Sequence, residues 1–179
     1  VLADLGADVI KIEPLGGSPT RDRGPFRPDA SHPESSLYWD SYCLNKRGIT
    51  LALEKAEGRD LFERLVAMSD FVLESFPPGH MDALGLGYDQ LHTINPGIIM
   101  ASMTPFGQSG PYARYRAPDL VAWAMGGMQY LTGDEDRPPV RISFPQAELH
   151  AGAQAAAGSM VAFWHRQMTG EGQHVDVSM

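Results

Sequence analysis

A single cysteine, Cys43, is all the thiol chemistry in this 179-residue chain, which excludes an internal disulfide framework and any zinc cluster built on cysteine. A lone thiol suits a reducing compartment, so a cytoplasmic location is the expectation. The histidines His32, His80, His92, His150, His165 and His174 never fall as a close pair on one helix face, and no metal is expected. No run of about 18 apolar residues occurs, which argues against a membrane span. Basic residues are scarce: 14 Lys and Arg against 22 Asp and Glu leave a net charge of −8, the wrong field for nucleic acid. None lies between Arg64 and Arg114. An anionic ligand must draw its cations from Lys11, Arg21, Arg23, Arg27, Lys46 and Arg47, or from Arg114 and Arg116. The chain also lacks internal repeats, a Gly-x-Gly-x-x-Gly after a strand, and a phosphate-loop motif.

What is present is a core. At 43% apolar residues the chain can bury one ordinary domain. It opens on Val1 as if in the last turns of a helix and ends in an alternating run that needs a partner strand, so a fragment of a larger protein is expected. Gly6 should stop the opening helix before a strand over 8–13, and residues 14–33, rich in Gly, Pro, Asp and Arg, should form a long surface loop. A strand over 49–53, a helix over 56–68 with Leu61, Phe62, Leu65 and Val66 on one face, and a strand over 70–74 would make a β-α-β unit. Further on come a short helix over 88–94, a buried strand over 98–103, a helix over 119–131 and a strand over 140–143. A long helix over 148–168 and a last strand over 174–178 complete the series. Such alternation implies an α/β fold, Rossmann-like, with a mostly parallel sheet and helices on both faces.

Two features point to chemistry. The break Ser75-Phe-Pro-Pro-Gly79 follows a strand, and ligand crevices in open α/β sheets lie beyond the carboxyl ends of strands. Glu148 stands where a helix of small residues begins, and the run over 151–162 would let a partner backbone or a slender ligand come close. Facing that approach, Glu148 is a candidate nucleophile; facing water, it is a first-turn acid stabilised by the helix dipole. His150, two residues on, reads either as a neighbour of that centre or as a structural histidine. Lys46 and Arg47, the densest basic spot, read either as an attractor of an anionic ligand or as a solvated strand entrance.

Taken together, Leu2-Ala-Asp-Leu-Gly-Ala-Asp-Val-Ile-Lys-Ile-Glu-Pro14, Asn45-Lys-Arg-Gly-Ile-Thr-Leu-Ala-Leu53, Glu74-Ser-Phe-Pro-Pro-Gly79, Phe106-Gly-Gln-Ser-Gly-Pro-Tyr112 and Thr169-Gly-Glu-Gly-Gln-His-Val-Asp-Val-Ser178 resemble the class III CoA-transferases in order and spacing. The resemblance implies that residues 1–179 are part of the large CoA-binding α/β domain, without its first strand and helix or its later portion. It implies an enzyme that moves coenzyme A from an acyl-CoA to a small carboxylic acid, as an interlocked homodimer or heterodimer, with CoA as substrate and no tightly bound cofactor. Glu148 takes the place of the family's nucleophilic aspartate. Leu51 and Phe76 match apolar positions that sandwich the adenine, and Ser75, Pro78 and Gly79 complete that loop. Arg116 matches a basic position suited to the CoA phosphates, and Gly107, Gly110 and Pro111 shape a loop near the acyl end. Two alternatives stay open: a non-catalytic CoA-binding or scaffolding subunit, motivated by Pro14, Ser75, Ala83 and Glu148 where relatives place polar or catalytic groups, and an acyl-CoA racemase. The racemase pattern puts a His before an Asp where this chain reads Pro118-Asp119.

Overall fold

Apolar residues alternate through Val-Ile-Lys-Ile-Glu, and this segment forms strand β1 (Val9–Glu13) in a computed structural model that describes residues 1–29 and 34–179. Two compact units, Val1–Phe62 and Glu63–Met179, make up the chain.

In the first unit, a 3-10 turn (Ala3–Leu5) ends at Gly6, whose left-handed φ of 102° supplies the expected stop. β1 pairs in parallel with β2 (Lys46–Thr50), in a register from Val9↔Lys46 to Glu13↔Thr50. β2 thus lies three residues earlier at each end than the 49–53 expected. The loop after β1 holds more structure than its composition suggested: a 3-10 turn over Pro19–Asp22 and helix α1 (Leu37–Cys43), capped by the Ser36 hydroxyl accepting from Trp39 N at 3.1 Å. Its last expected residues, 30–33, lie outside those described. Glu13, at the end of β1, is buried, and Arg21 Nε and Nη2 each donate to its carboxylate at 2.8 Å. The guanidinium also stacks 3.9 Å from the centre of the Trp39 ring. Arg21 therefore holds the Glu13 carboxyl below its ordinary range.

Helix α2 (Ala56–Val66) buries Phe62 and Val66 but leaves Leu61 45% exposed, so the apolar face is narrower than the four residues expected. Leu61 lies about 100° around the helix from Phe62, beyond the edge of the buried stripe.

The second unit is a three-stranded parallel sheet in the order β3-β4-β5, with β3 (Phe71–Glu74), β4 (Ile99–Thr104) and β5 (His174–Ser178). β4 is central and almost wholly buried, as its continuous apolar run requires. The α/β class and the parallel pairing agree with expectation. The expected β-α-β closure does not occur, because β2 pairs with β1 in one sheet while β3 pairs with β4 in another. The expected strand over 140–143 is also absent: Val140 N donates to Thr132 O at 3.1 Å and closes a turn, leaving Val140 and Ile142 exposed. Helices α3 (His80–Ala83), α4 (Tyr88–Ile94) and α5 (Asp119–Met125) are short. α5 stops well before residue 131, at Gly126 and at Gly127, whose φ is 82°.

Helix α6 (Gln146–Thr169) dominates this unit. Ala147, Ala151, Ala155, Ser159 and Ala162 form its buried face, and Ala151 and Ala155 share a cluster with Ala101 and Val177, flanked by Met103, Val175 and Met179. One face of the small-residue run thus packs inside the unit, while Ala153, Ala157, Met160 and Val161 on its other side stay exposed. A Cβ on Gly158 would stand 2.8 Å from Val175 Cγ1, so the Val175 side chain reaches the helix backbone through the space a glycine leaves. On the outward side Val161, Trp164 and Met168 are all more than two-thirds exposed. Gly170, at φ 81°, ends the helix by donating to Arg166 O at 2.7 Å, as the Thr-Gly-Glu-Gly sequence foretold. Arg166 in turn pairs with Asp70 at 2.6 Å and donates to Gly97 O at 2.9 Å, fixing the far end of α6 to the start of β3 and the loop before β4. Among the described residues no helix is long and apolar enough to cross a membrane.

Two expected outcomes follow from these contacts. A Cβ at residue 172 would sit 1.9 Å from Ile98 O, where neither backbone can yield, so Gly172→Ala should cost on the order of 3 kcal/mol or block folding. Gly152→Ala, in open space within α6, should add about 0.5–1 kcal/mol. Urea midpoints of the two variants should move in opposite directions. Glu13→Gln removes a carboxylate whose folded pKa is depressed. The stability it contributes is present above the unfolded value of 4.5 and is lost as pH falls through the lower folded value. Denaturation at pH 7 should show a loss of roughly 1.5–3 kcal/mol for the Gln variant, shrinking toward zero in acid.

Candidate functional site

The carboxyl end of β3 turns on one buried side chain. Glu74 is 9% exposed, and its carboxylate accepts from Phe76 N at 2.7 Å, which bends the chain out of the sheet. Ser75 and Phe76 therefore project outward; Phe76 is 41% exposed and lies against His80, with ring centroids 4.7 Å apart. His80 N donates to Pro77 O at 3.0 Å, and the Pro-Pro-Gly segment leads into α3.

A second loop leaves the carboxyl end of β4. Gly107 takes a φ of 80°, and a Cβ there would be 3.3 Å from Asp176 Oδ2. Gln108 N donates to both Asp176 carboxylate oxygens, at 3.1 and 2.9 Å, so β5 holds this loop through one acid. The two loops border a cavity of about 740 Å³ within the second unit. Pro78, Gly79 and Asp82 form one side, Gln108 to Pro111 with Ala113, Arg114 and Tyr115 another, and Tyr88, Asp89 and His174 the rest. Tyr88 and His174 stack at 5.4 Å with 13° between their planes. The His174 Nε2 shares a 2.9 Å hydrogen bond with the Ser102 hydroxyl, and burial, aided by Asp89, pushes the Tyr88 phenol up. The cavity thus offers a flat aromatic face, a backbone-rich loop, two carboxylates and one guanidinium.

Glu148 is half-buried in the first turn of α6. The helix begins at Gln146, so Glu148 is its third residue. Pro145 precedes it without a side-chain cap; instead Asp119 Oδ1, from the start of α5, accepts from Ala147 N at 2.8 Å and from Glu148 N at 3.4 Å. His150 is exposed and meets the buried Trp123 edge to face, centroids 6.3 Å apart.

Of the residues singled out from the sequence, Pro78, Gly79, Gly110, Pro111 and Arg114 share the cavity wall. Ser75, Phe76, Arg116 and Glu148 belong to the same unit but do not line it. Leu51 is in the first unit, half-buried directly after β2, with its N–H donating to Glu13 O at 3.0 Å. Arg116 is exposed, and the cation in the wall is Arg114, two residues earlier; among the described residues neither forms an ion pair. Lys46 and Arg47 are already engaged, Lys46 with Tyr42 O and Arg47 with Asp8 at 2.6 Å. Burial pushes the Cys43 thiol up, which favours the unreactive protonated form. Among the described residues no group of three or more His, Cys, Asp or Glu could hold a metal. Tyr88 and Asp176 carry no local signature that sets them apart, and Asp119 entered only as the aspartate of the racemase pattern, with no sign of its bond to α6. Arg114 was marked as a cation source by the gap in basic residues that precedes it.

The profile of CoA-transferase family III matches residues 1–179. The succinyl-CoA--D-citramalate CoA-transferase of Chloroflexus aurantiacus is 43% identical over 180 residues, covering 100% of this chain and 44% of that protein. The succinyl-CoA:(R)-benzylsuccinate CoA-transferase subunit BbsE of Thauera aromatica is 40% identical, covering 99% of this chain and 43% of its own. A crystal structure of a CAIB/BAIF family protein from Brucella suis superposes with a TM-score of 0.92 at 41% identity, over 99% of this chain and 47% of that one. The chain therefore spans under half the length of the relatives it matches.

Asp176→Ala should free the 107–112 loop without unfolding the sheet. The loss of a charge-assisted bond to Gln108 N should speed amide hydrogen exchange there by roughly tenfold, while exchange in β4 stays unchanged.

Proposed function

This chain belongs to CoA-transferase family III, and from that premise we propose that it is part of an enzyme that moves coenzyme A from an acyl-CoA to a small carboxylic acid, with Glu148 as the nucleophile. The observation that carries this reading is the location of Glu148. Ala151 and Ala155 pack α6 against Ala101 of β4 and Val177 of β5, and Glu148, itself half-buried, stands one turn before Ala151. In the proposed reaction the Glu148 carboxylate attacks the thioester carbonyl carbon. The C–S bond breaks, and the CoA thiolate leaves behind a mixed anhydride. The thiolate then attacks the glutamyl carbonyl, releasing the donor acid and leaving CoA on Glu148 as a thioester. The acceptor carboxylate repeats the two steps in reverse order and departs as acyl-CoA, with the Glu148 carboxylate regenerated. A glutamate carries this group one methylene further out than an aspartate. A misplacement of about 1 Å can cost on the order of 100-fold in rate, so the site must be set to the longer arm.

Pro78 and Gly79 supply the coenzyme side of the cavity in this reading, with Ser75 as a hydrogen-bonding group. Phe76 is an apolar face for the adenine. The proposal gives the phosphates Arg114 as well as Arg116, since both are exposed and outside any ion pair among the described residues. Both units are proposed to belong to one CoA-binding domain of a longer subunit. The exposed Val161, Trp164 and Met168 on α6 support burial of that face in an interlocked homodimer or heterodimer, testable by light scattering of the full-length subunit.

The decisive experiment is peptide mass analysis of the full-length subunit after incubation with succinyl-, acetyl- or formyl-CoA and trapping. A CoA adduct is expected on the peptide containing Glu148, and Glu148→Gln should lose adduct and turnover by at least about 1,000-fold. Full turnover by the Gln variant removes Glu148 from the mechanism; no turnover by the wild-type subunit alone favours a non-catalytic CoA-binding role.

A further inference from the structure

The first turn of α6 carries the nucleophile candidate but lacks a cap of its own. Its preceding residue is Pro145, which has no side-chain acceptor, and the first N–H groups of any helix have no partner within it. The missing acceptor arrives from 28 residues upstream. Asp119 Oδ1 takes the N–H of Ala147 at 2.8 Å and that of Glu148 at 3.4 Å. Asp119 is also the first residue of α5, so one carboxylate joins the starts of two helices. One turn further along each helix the contact repeats in apolar form, as buried Trp123 of α5 meets the His150 ring of α6.

Two contacts one turn apart hold the opening of α6 against both translation along its axis and rotation about it. The Glu148 backbone is held directly, through its own N–H. For a side chain with three rotatable bonds, fixing the backbone is the most effective restraint available outside the pocket that receives its tip.

We infer that Asp119 is the positioning residue for Glu148: by accepting from the amides of residues 147 and 148 it sets where the nucleophilic carboxylate stands, without itself touching substrate. This rests on the reading of Glu148 given above. The acceptor oxygen is what matters in this role, so an amide at the same reach should replace the acid.

The test is exchange of labelled acid into its acyl-CoA, run on the full-length subunit with succinyl-, acetyl- and formyl-CoA. Thermal midpoints are measured alongside. Asp119→Ala should lower kcat roughly 10- to 100-fold while KM for the acyl-CoA stays within about twofold, and Asp119→Asn should keep kcat within about threefold of wild type. Should the Ala variant not fold, Asp119→Ser, whose hydroxyl falls short of the two amides, takes its place with at least a tenfold expected loss. Unchanged kcat in Ala or Ser with only a lowered thermal midpoint overturns the inference, and so does an Asn variant as impaired as Ala, which would assign the effect to charge. The two readings fail separately. Active Glu148→Gln, or no exchange with any of the three donors, removes the nucleophile and the inference with it, whereas inactive Glu148→Gln beside fully active Asp119→Ala removes the inference alone.

Discussion

Helix α6 lies close on β4 and β5 because Ala151 and Ala155 pack against Ala101 and Val177, because the rest of its buried face, Ala147, Ser159 and Ala162, is also small, and because Gly158 leaves room for Val175. Short side chains allow a short distance between helix and strand backbones, and that distance fixes the height of everything the helix carries at its start. A methyl-to-isobutyl change anywhere on this face would lift the helix and displace the carboxylate at its opening, because packed interiors yield by shifts of the backbone when overfilled. The other end is held with equal economy, by Gly170 and the Arg166–Asp70 pair. α6 is thereby a rigid lever laid across the sheet, and Asp119 acts on its short arm.

Much of this was legible from residue patterns alone. The β4 run, the 88–94 helix, the glycine stop before β5 and the alternating last strand are local features, each set by residues within its own segment. What escaped was set from a distance. β2 occupies 46–50 because its register is dictated by β1, with Val9 opposite Lys46, and not by its own most apolar residues at 49–53. Val140 to Ser143 has strand-like composition but no neighbour to pair with, so the backbone bonds to Thr132 instead. Helix α1 was missed because its aromatic and cysteine residues are indifferent helix formers; the Ser36 cap was its one local sign.

The site divides along the same line. Pro78 and Gly79 were found from the break after β3 and Gly110 and Pro111 from the glycine-rich loop, both local signals, whereas Arg114 and Arg116 were named together as cation sources and only Arg116 was given the phosphates, because a two-residue choice within a loop depends on how that loop folds. Asp119 and Asp176 both work across gaps in sequence, 28 residues to Ala147 and 68 to Gln108, that no spacing rule can reveal. Charge is distributed to the same end. Arg21, Arg47 and Arg166 are consumed by Glu13, Asp8 and Asp70, while Arg114 and Arg116 stand outside any ion pair among the described residues. An acidic chain thus leaves one cation, Arg114, outside any such pair in the wall of this cavity.

The central claim is that close packing of α6 delivers the residue-148 carboxylate to the reacting carbon of an acyl-CoA. The most direct measurement is a crystal structure of the full-length subunit with an unreactive acyl-CoA thioether bound. The account requires a Glu148 carboxylate oxygen within about 3.5 Å of the carbon that stands for the thioester carbonyl, in line for attack, with Asp119 still bonded to the amides of 147 and 148. A ligand whose acyl end lies elsewhere, with Glu148 turned to solvent, would contradict it.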